Sequence, residues 1–139
     1  MQQLLAGLWN NGLSFKEIGV ASIFYKDESH RFHLKSFKPL GGAYAVARLL
    51  MEKLPILLGS KVISIDDLLS GLHTKACQKI TVTAATDGNH GRSVAWGAKR
   101  MGLNCKIFIS QYVSKNRENE IKKLGAEVIR VKGNYENSL

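Results

Sequence analysis

Two short stretches of the sequence contain side chains whose types and spacing could do chemistry. The first is centred on Lys38, which directly precedes Pro39. A proline disfavours the helical region for the residue before it and suits the first position of a helix, so we expect Lys38 at a helix cap. The positive end of a helix dipole, together with burial, favours the neutral amine, which is the form that attacks an aldehyde. Taken alone, this spacing is more typical of a solvated loop lysine.

The second stretch is the segment TDGNHG at residues 86–91. It follows a strand-like run and precedes a helical pattern, which is the usual ligand position in open α/β sheets. Free N–H groups there favour an anion, Asn89 offers a donor and an acceptor to a ring hydroxyl, and Asp87 could accept a proton. Two alternatives stay open. One is a simple turn capped by Asp87 or Asn89, and the other is a metal site of Asp87 and His90, for which no third ligand is apparent.

The elements preceding the second stretch are predicted from hydrophobic patterning. Residues 4–9 have helical spacing and residues 22–26 have strand character. Residues 43–54 are apolar on most sides and predict a helix that is buried over most of its surface. We expect that helix to end where Pro55 and Gly59 interrupt the pattern. A second short helix is predicted over residues 66–72.

The later part of the chain alternates between strands and helices. The strands are predicted over residues 80–84, 105–110 and 126–131. One intervening helix should end at Gly102, and the next should begin after Ser114 and end at Gly125. This alternation predicts an α/β fold, with a parallel sheet, flanking helices and right-handed crossovers.

Composition narrows the class of function. The chain has 139 residues, and 20 basic against 11 acidic side chains give a formal net charge of +9. The basic residues are scattered and often paired with acids, so we do not predict nucleic-acid binding, and an anionic small molecule would benefit equally from the charge. Cys77 and Cys105 lack metal-ligand spacing and are expected to be reduced thiols. No apolar run predicts a membrane span or a signal peptide, which favours a cytoplasmic location.

The two stretches, in their order and context, resemble the fold-type II pyridoxal-phosphate enzymes. This group includes serine and threonine dehydratases and serine racemase, and the resemblance is strongest to the diaminopropionate ammonia-lyases. It extends over about residues 12–139 and depends on the segments YKDESHRF (25–32), FKPLGGAYA (37–45), ATDGNHGRSVAW (85–96) and LGAEV (124–128). The residue that matches Asp87 is usually small in the dehydratases and the racemase, whereas it is aspartate in the ammonia-lyases.

The resemblance implies a reaction and a set of roles. Pyridoxal 5'-phosphate would be the cofactor, and 2,3-diaminopropionate would be converted to pyruvate and ammonia. Lys38 would hold the cofactor covalently and act as a base on one face of the substrate, with Asp87 as the base on the opposite face. Asn89 would hold the ring 3-hydroxyl, and Gly88 and Phe37 would also contact the cofactor. The family further implies a homodimer.

The resemblance also implies an architecture of which this chain is a part. The two-domain fold is that of the tryptophan synthase β-like enzymes, with residues 1–78 in a partial large domain and residues 79–139 in a partial small domain. The family's phosphate-binding glycine loop has no counterpart here, so we expect an incomplete, N-terminal fragment that is inactive alone. The alternatives are a serine/threonine dehydratase-like lyase, or a catalytically dead α/β module that folds or self-associates through an unfinished sheet edge.

Overall fold

The computed structural model describes Gly19, Ser22, Phe24 and residues 26–59 and 62–139. The predicted helix at 4–9 lies outside these residues. Of the predicted strand at 22–26, the structure describes Ser22, Phe24 and Lys26, and none of these three lies in a strand. In chain order the elements are α1 (Pro39–Leu58), α2 (Ile65–Ser70), α3 (Thr74–Cys77), β1 (Thr81–Ala85), α4 (Asn89–Met101), β2 (Asn104–Ser110), α5 (Lys115–Lys122) and β3 (Glu127–Val131), with short 3-10 segments at Arg31–His33 and Glu136–Ser138.

The three strands form one parallel sheet in the order β1-β2-β3, which confirms the predicted fold class. In the register, Val82 lies opposite Cys105, and Ile107 lies opposite Val128. The central strand is the most deeply buried, as expected for a parallel sheet covered by helices, and Ile107 is fully buried. Because the strands run in one direction, the segments that follow all three of them meet at one edge of the sheet.

Helix α1 does not end at Pro55, and that part of the prediction is wrong. The helix continues to Leu58 and ends at Gly59, which adopts a left-handed conformation with φ 64° and donates its N–H to the carbonyl of Pro55. Proline inside a helix removes one hydrogen bond. The fully buried side chain of Leu54 packs in the core directly before it and anchors this turn.

The prediction that α1 is buried over most of its surface is also wrong. Its buried side lies against α4 and includes Gly42, Ala43, Val46, Ala47, Leu50 and Leu54. The opposite side is apolar but exposed, with Tyr44 at 62% and Ile56 at 74% of their full accessibility. A helix with apolar residues all round is expected to be covered on both sides. Within the described residues, nothing covers the outer side.

The ends of the shorter helices agree only in part with the predictions. Ser64 begins α2 in a capping box with Asp67, and the helix ends at Ser70, two residues before the predicted end. Helix α5 ends at Lys122, short of the predicted Gly125, which has φ 88° and closes a turn by donating its N–H to the carbonyl of Lys122 at 2.9 Å. Helix α4 ends at Gly102, which has φ 73°. Ser114 caps α5 by accepting the N–H of Arg117. The predicted inner face of α4 is buried and consists of Val94, Ala95, Ala98 and Met101.

One buried hydrophobic cluster joins α1, α2, α4 and the sheet. It contains residues from both sides of the predicted domain boundary between residues 78 and 79, and that boundary stays a prediction. Among the helices of the described ranges, none combines the length and the apolar character needed to cross a membrane.

A charged network fixes α5 beside the sheet. Glu118 is 6% exposed and accepts hydrogen bonds from Arg130 at 2.5 Å and from Lys115 at 3.2 Å, and Lys122 lies 2.8 Å from its other oxygen. These cations hold the pKa of Glu118 down at about 2. Arg130 also donates to three main-chain carbonyls in the segment 110–113 that leads from β2 to α5. The network therefore sets the position of the helix that carries Arg117.

Candidate active site

Thr86 holds the turn between β1 and α4. It is 3% exposed, and its hydroxyl oxygen accepts the N–H of Gly88 at 3.0 Å and that of Gly91 at 3.1 Å. Gly88 caps α4, and its carbonyl accepts the N–H of Arg92 at 3.0 Å. The turn is thus fixed by a side chain that sequence reasoning treated only as part of the loop. A buried polar residue at the end of an apolar strand is the signal that could have identified it.

Gly91 allows the first turn of α4 to lie against the sheet. A Cβ atom at this position would come within 2.4 Å of Thr86 Cγ2 and 3.0 Å of Ile107 Cγ2. Both distances are shorter than ordinary van der Waals contacts, so a side chain would force the helix away from β1 and β2. Glycine here keeps Asn89 close to the carboxyl end of β1.

The start of α1 is connected to α4 by Ser93. This residue is fully buried, and its hydroxyl donates to the carbonyl of Lys38 at 2.9 Å and accepts the N–H of Ala43 at 3.1 Å. The two helices also approach closely at Gly97, where a Cβ would lie 2.9 Å from the Cα of Ala43. The contacts between α1 and α4 therefore bring Lys38 to the turn that follows β1. No role was predicted for Ser93 or Gly97 from the sequence.

Lys38 is the N-cap of α1 as predicted, but its backbone is helical, with φ −52° and ψ −33°. The expectation that Pro39 would exclude this conformation is wrong. The helical geometry aims the Lys38 carbonyl at the N–H groups of Gly41 and Gly42, at 3.0 and 2.9 Å, and these bonds compensate for the steric conflict with proline. The expected burial is also absent from the described part of the chain, because the Lys38 side chain is exposed.

A cleft of about 470 Å³ opens at the carboxyl ends of the strands. Its lining residues are Lys38, Ala85, Thr86, Asp87, Gly88, Asn89, His90, Arg117 and Tyr135. The structure thus brings together four of the predicted site residues, namely Lys38, Asp87, Gly88 and Asn89. Phe37 does not line the cleft. It is 59% exposed, and its ring centroid lies 5.2 Å from Lys38 Nζ.

Arg117 and Tyr135 line the cleft, although neither was predicted as a site residue. Arg117 donates from its guanidinium to the main-chain carbonyl of Asp87 at 3.3 Å. The two residues follow β2 and β3 respectively, so the shared edge of a parallel sheet is the signal that could have identified them. With Lys38, Arg117 gives the cleft two cationic side chains against the single carboxylate of Asp87. Such a site favours an anionic ligand.

Metal and thiol chemistry receive no support from the described residues. Within them, no three His, Cys, Asp or Glu side chains lie together as a metal ion would require. Cys77 and Cys105 are free and buried. Burial raises the pKa of both thiols, that of Cys105 to about 11, so they are protonated and unreactive at neutral pH.

Comparisons with known proteins agree with this geometry. The family model described as pyridoxal-phosphate dependent enzyme matches residues 8–139. The diaminopropionate ammonia-lyase of Escherichia coli (strain K12) is 42% identical over 121 residues, which cover 87% of this chain and 29% of that protein. The crystal structure of the Escherichia coli lyase in apo form matches with a TM-score of 0.66 and 40% identity, over 81% of this chain and 29% of that one. The structure of the same lyase with an aminoacrylate-PLP azomethine reaction intermediate matches with a TM-score of 0.64 and 42% identity, over 80% and 25%.

This chain spans less than a third of the length of these relatives. The match nevertheless includes nearly all of its own residues, together with both predicted stretches. The chain belongs to the family of pyridoxal-phosphate dependent enzymes.

Proposed function

We propose that this chain supplies Lys38 and Asp87 to the substrate site of a pyridoxal-phosphate-dependent lyase acting on 2,3-diaminopropionate. One observation carries the proposal: Lys38 and the turn from Asp87 to Asn89, which are far apart in sequence, line a single cleft. The reaction is taken from the ammonia-lyases that resemble the chain. The aspartate at position 87 supports this reaction over a dehydratase.

The residues of the cleft suit a phosphorylated pyridine aldehyde. Lys38 offers an amine, Asn89 offers an amide to a ring hydroxyl, and the cationic side chains favour an anion. The cleft volume of about 470 Å³ lies within the range of small-molecule sites. When bound, the cofactor supplies the electron sink for negative charge at the substrate Cα.

The side chains of the cleft would divide the proton transfers between them. Lys38 Nζ would hold the cofactor and accept the Cα proton from one face of the substrate. The carboxylate of Asp87 would accept that proton from the opposite face, so substrates of either configuration have a base. The Asn89 amide would orient the ring. Overall, 2,3-diaminopropionate and one water give pyruvate and two ammonia molecules.

We further propose that the chain forms a homodimer and acts in the cytoplasm. The exposed apolar side of α1 and the open edge of β1 support self-association, because both are surfaces that proteins usually cover. The free, buried Cys77 and Cys105 are typical of a reducing compartment.

The proposal is tested by measuring pyruvate release from the L and D substrates separately, in the presence of pyridoxal phosphate. Lys38→Ala should abolish release from both. In Asp87→Asn, the rate of pyruvate release should fall about 100-fold or more for one enantiomer and stay largely unchanged for the other, because only one face of the substrate loses its base. Asp66→Asn is the matched control, since Asp66 is exposed on α2 and does not line the cleft. Equal losses on both enantiomers would contradict the two-base assignment. No release from the unmodified chain would agree with the expected inactivity of the fragment alone and would also favour the inactive module.

A further inference from the structure

We infer that Ser93 is a positioning residue that sets where the amine of Lys38 stands in the cleft. The inference rests on the proposed function, in which that amine holds the cofactor. Ser93 does not line the cleft, so it would act only through the backbone of Lys38.

The contacts of Ser93 cross from one helix to the other. Its hydroxyl hydrogen is donated to the Lys38 carbonyl at 2.9 Å, and its oxygen accepts the Ala43 N–H at 3.1 Å. Ser93 lies one helical turn after Asn89 on α4. One buried hydroxyl therefore ties the main chain of the lysine to the helix whose first residue is the proposed ring-binding asparagine.

The absence of a side chain at Gly42 leaves room for this hydroxyl. A Cβ at position 42 would lie 2.4 Å from Ser93 Oγ and 3.0 Å from Ser93 Cβ. At the neighbouring Gly41, an added Cβ would meet no atom within 4 Å. The two adjacent glycines of α1 thus differ in role, because only Gly42 must lack a side chain for Ser93 to reach the Lys38 carbonyl. Nothing in the local sequence distinguishes the two.

The hydroxyl matters because the Lys38 side chain has little else to hold it. That side chain is exposed, and its Nζ is placed over the ring of Phe37, which is itself exposed. The Lys38 carbonyl also accepts N–H groups from the first turn of α1, so the helix would still begin without Ser93. Loss of the hydroxyl would therefore remove the hydrogen bond from α4 to the Lys38 carbonyl while leaving the helix start and the packing of the two helices in place. Small displacements of a reacting group have large effects on its reactivity.

The test uses the selectivity with which pyridoxal phosphate labels lysines. The chain is mixed with the reagent, the adducts are trapped by borohydride, and peptide mass spectrometry gives the ratio of labelling at Lys38 to that at the exposed Lys35. Ser93→Ala should lower the ratio about fivefold, the equivalent of one hydrogen bond. Ala95→Gly is the control, because it also weakens α4 at a buried site but removes no contact to Lys38.

A second set of variants tests the same link from α1. Gly42→Ala should lower the ratio as Ser93→Ala does, because the new methyl displaces the hydroxyl, whereas Gly41→Ala should not. In the Ser93→Gly background, Gly42→Ala should add little further loss, since the obstructing atoms are gone. This set keeps the inference testable if Ser93→Ala does not fold.

The possible outcomes distinguish the positioning role of Ser93 from the proposed function of the chain. A Lys38 preference in the unmodified chain that falls in Ser93→Ala and Gly42→Ala, but survives in both controls, supports the positioning role. A preference that Ser93→Ala leaves intact, or that Ala95→Gly lowers equally, overturns it while leaving the proposed function in place. An unmodified chain that shows no preference for Lys38 contradicts the proposed function and overturns the role of Ser93 with it.

Discussion

The close packing between α1 and α4 predicts that substitutions of two neighbouring glycines change the free energy of unfolding in opposite directions. In Gly42→Ala, the new Cβ would lie 2.4 Å from Ser93 Oγ, so the hydroxyl must rotate away from both of its partners. Each lost hydrogen bond costs about 0.5 to 1.5 kcal/mol, and strain from the 3.0 Å contact with Ser93 Cβ adds to this. Alanine in a helix regains about 0.5 to 1 kcal/mol over glycine. The net expectation is a loss of about 1 to 3 kcal/mol in the free energy of unfolding.

Gly41→Ala makes the matched comparison one residue earlier in the same helix turn. Because nothing lies within 4 Å of the added Cβ, only the helix preference should count, and the variant should gain about 0.5 to 1 kcal/mol. Urea unfolding of the three proteins, followed by far-ultraviolet circular dichroism, gives the free energies directly. A Gly42→Ala protein that is as stable as Gly41→Ala would refute the described contact between Gly42 and Ser93.

Three further predictions concern the elements that support the cleft. Gly97→Ala should lower the free energy of unfolding by about 1 to 3 kcal/mol, because the new Cβ would lie 2.9 Å from the Cα of Ala43 and push the two helices apart. Thr86→Val should lower the free energy of unfolding by about 1 to 3 kcal/mol, because two buried N–H groups lose their acceptor. The pKa of Glu118 is lowered from 4.5 to about 2, so its ion pairs stabilise the fold above pH 4.5 and are lost as the pH falls towards 2. Glu118→Gln should therefore weaken the fold at pH 6 by about 1 to 3 kcal/mol and flatten the decline in stability between those pH values.

The controls for these three predictions differ. For Gly97→Ala, the control is again Gly41→Ala, and equal stabilities would contradict the close approach of the helices. Thr83→Val is the control for Thr86→Val, because Thr83 is exposed on β1 and makes no hydrogen bond through its hydroxyl in the described structure. For Glu118→Gln, a stability that still declines as steeply between pH 4.5 and 2 as in the unmodified chain would show that other carboxylates control the acid sensitivity.

Local signals in the sequence were sufficient to predict most of the secondary structure in the second half of the chain. β-branched runs, the glycine that ends α4 and the serine that caps α5 act within a few residues of themselves. For this reason the three strands lie within one residue of their predicted bounds and α4 ends at the predicted glycine, whereas α5 ends at Lys122, short of its predicted stop at Gly125. The position of Asp87 and Asn89 at the carboxyl end of β1 could also be anticipated, because ligands bind at that edge of an open α/β sheet. Lys38 follows no strand of the sheet, and only the family resemblance suggested that it would lie beside them.

Contacts between distant segments could not be predicted in the same way. The role of Ser93 depends on the approach of α1 to α4, and the guanidinium of Arg117 reaches Asp87 only because the sheet aligns their loops. The burial of α1 was predicted wrongly because its apolar residues occupy both sides, and periodicity does not say which side the described chain covers. The predicted end at Pro55 was wrong because the packing of Leu54 outweighs a local preference.

The most direct test of Lys38 as the cofactor-holding residue is a visible-absorbance titration of the chain with pyridoxal phosphate. We predict a saturable change that is lost in Lys38→Ala and weakened in Asn89→Ala. We predict no effect of Lys53→Ala, since Lys53 is exposed on α1 and lies outside the cleft. A saturable change of the same size in Lys38→Ala would contradict the assignment of Lys38 as the residue that holds the cofactor.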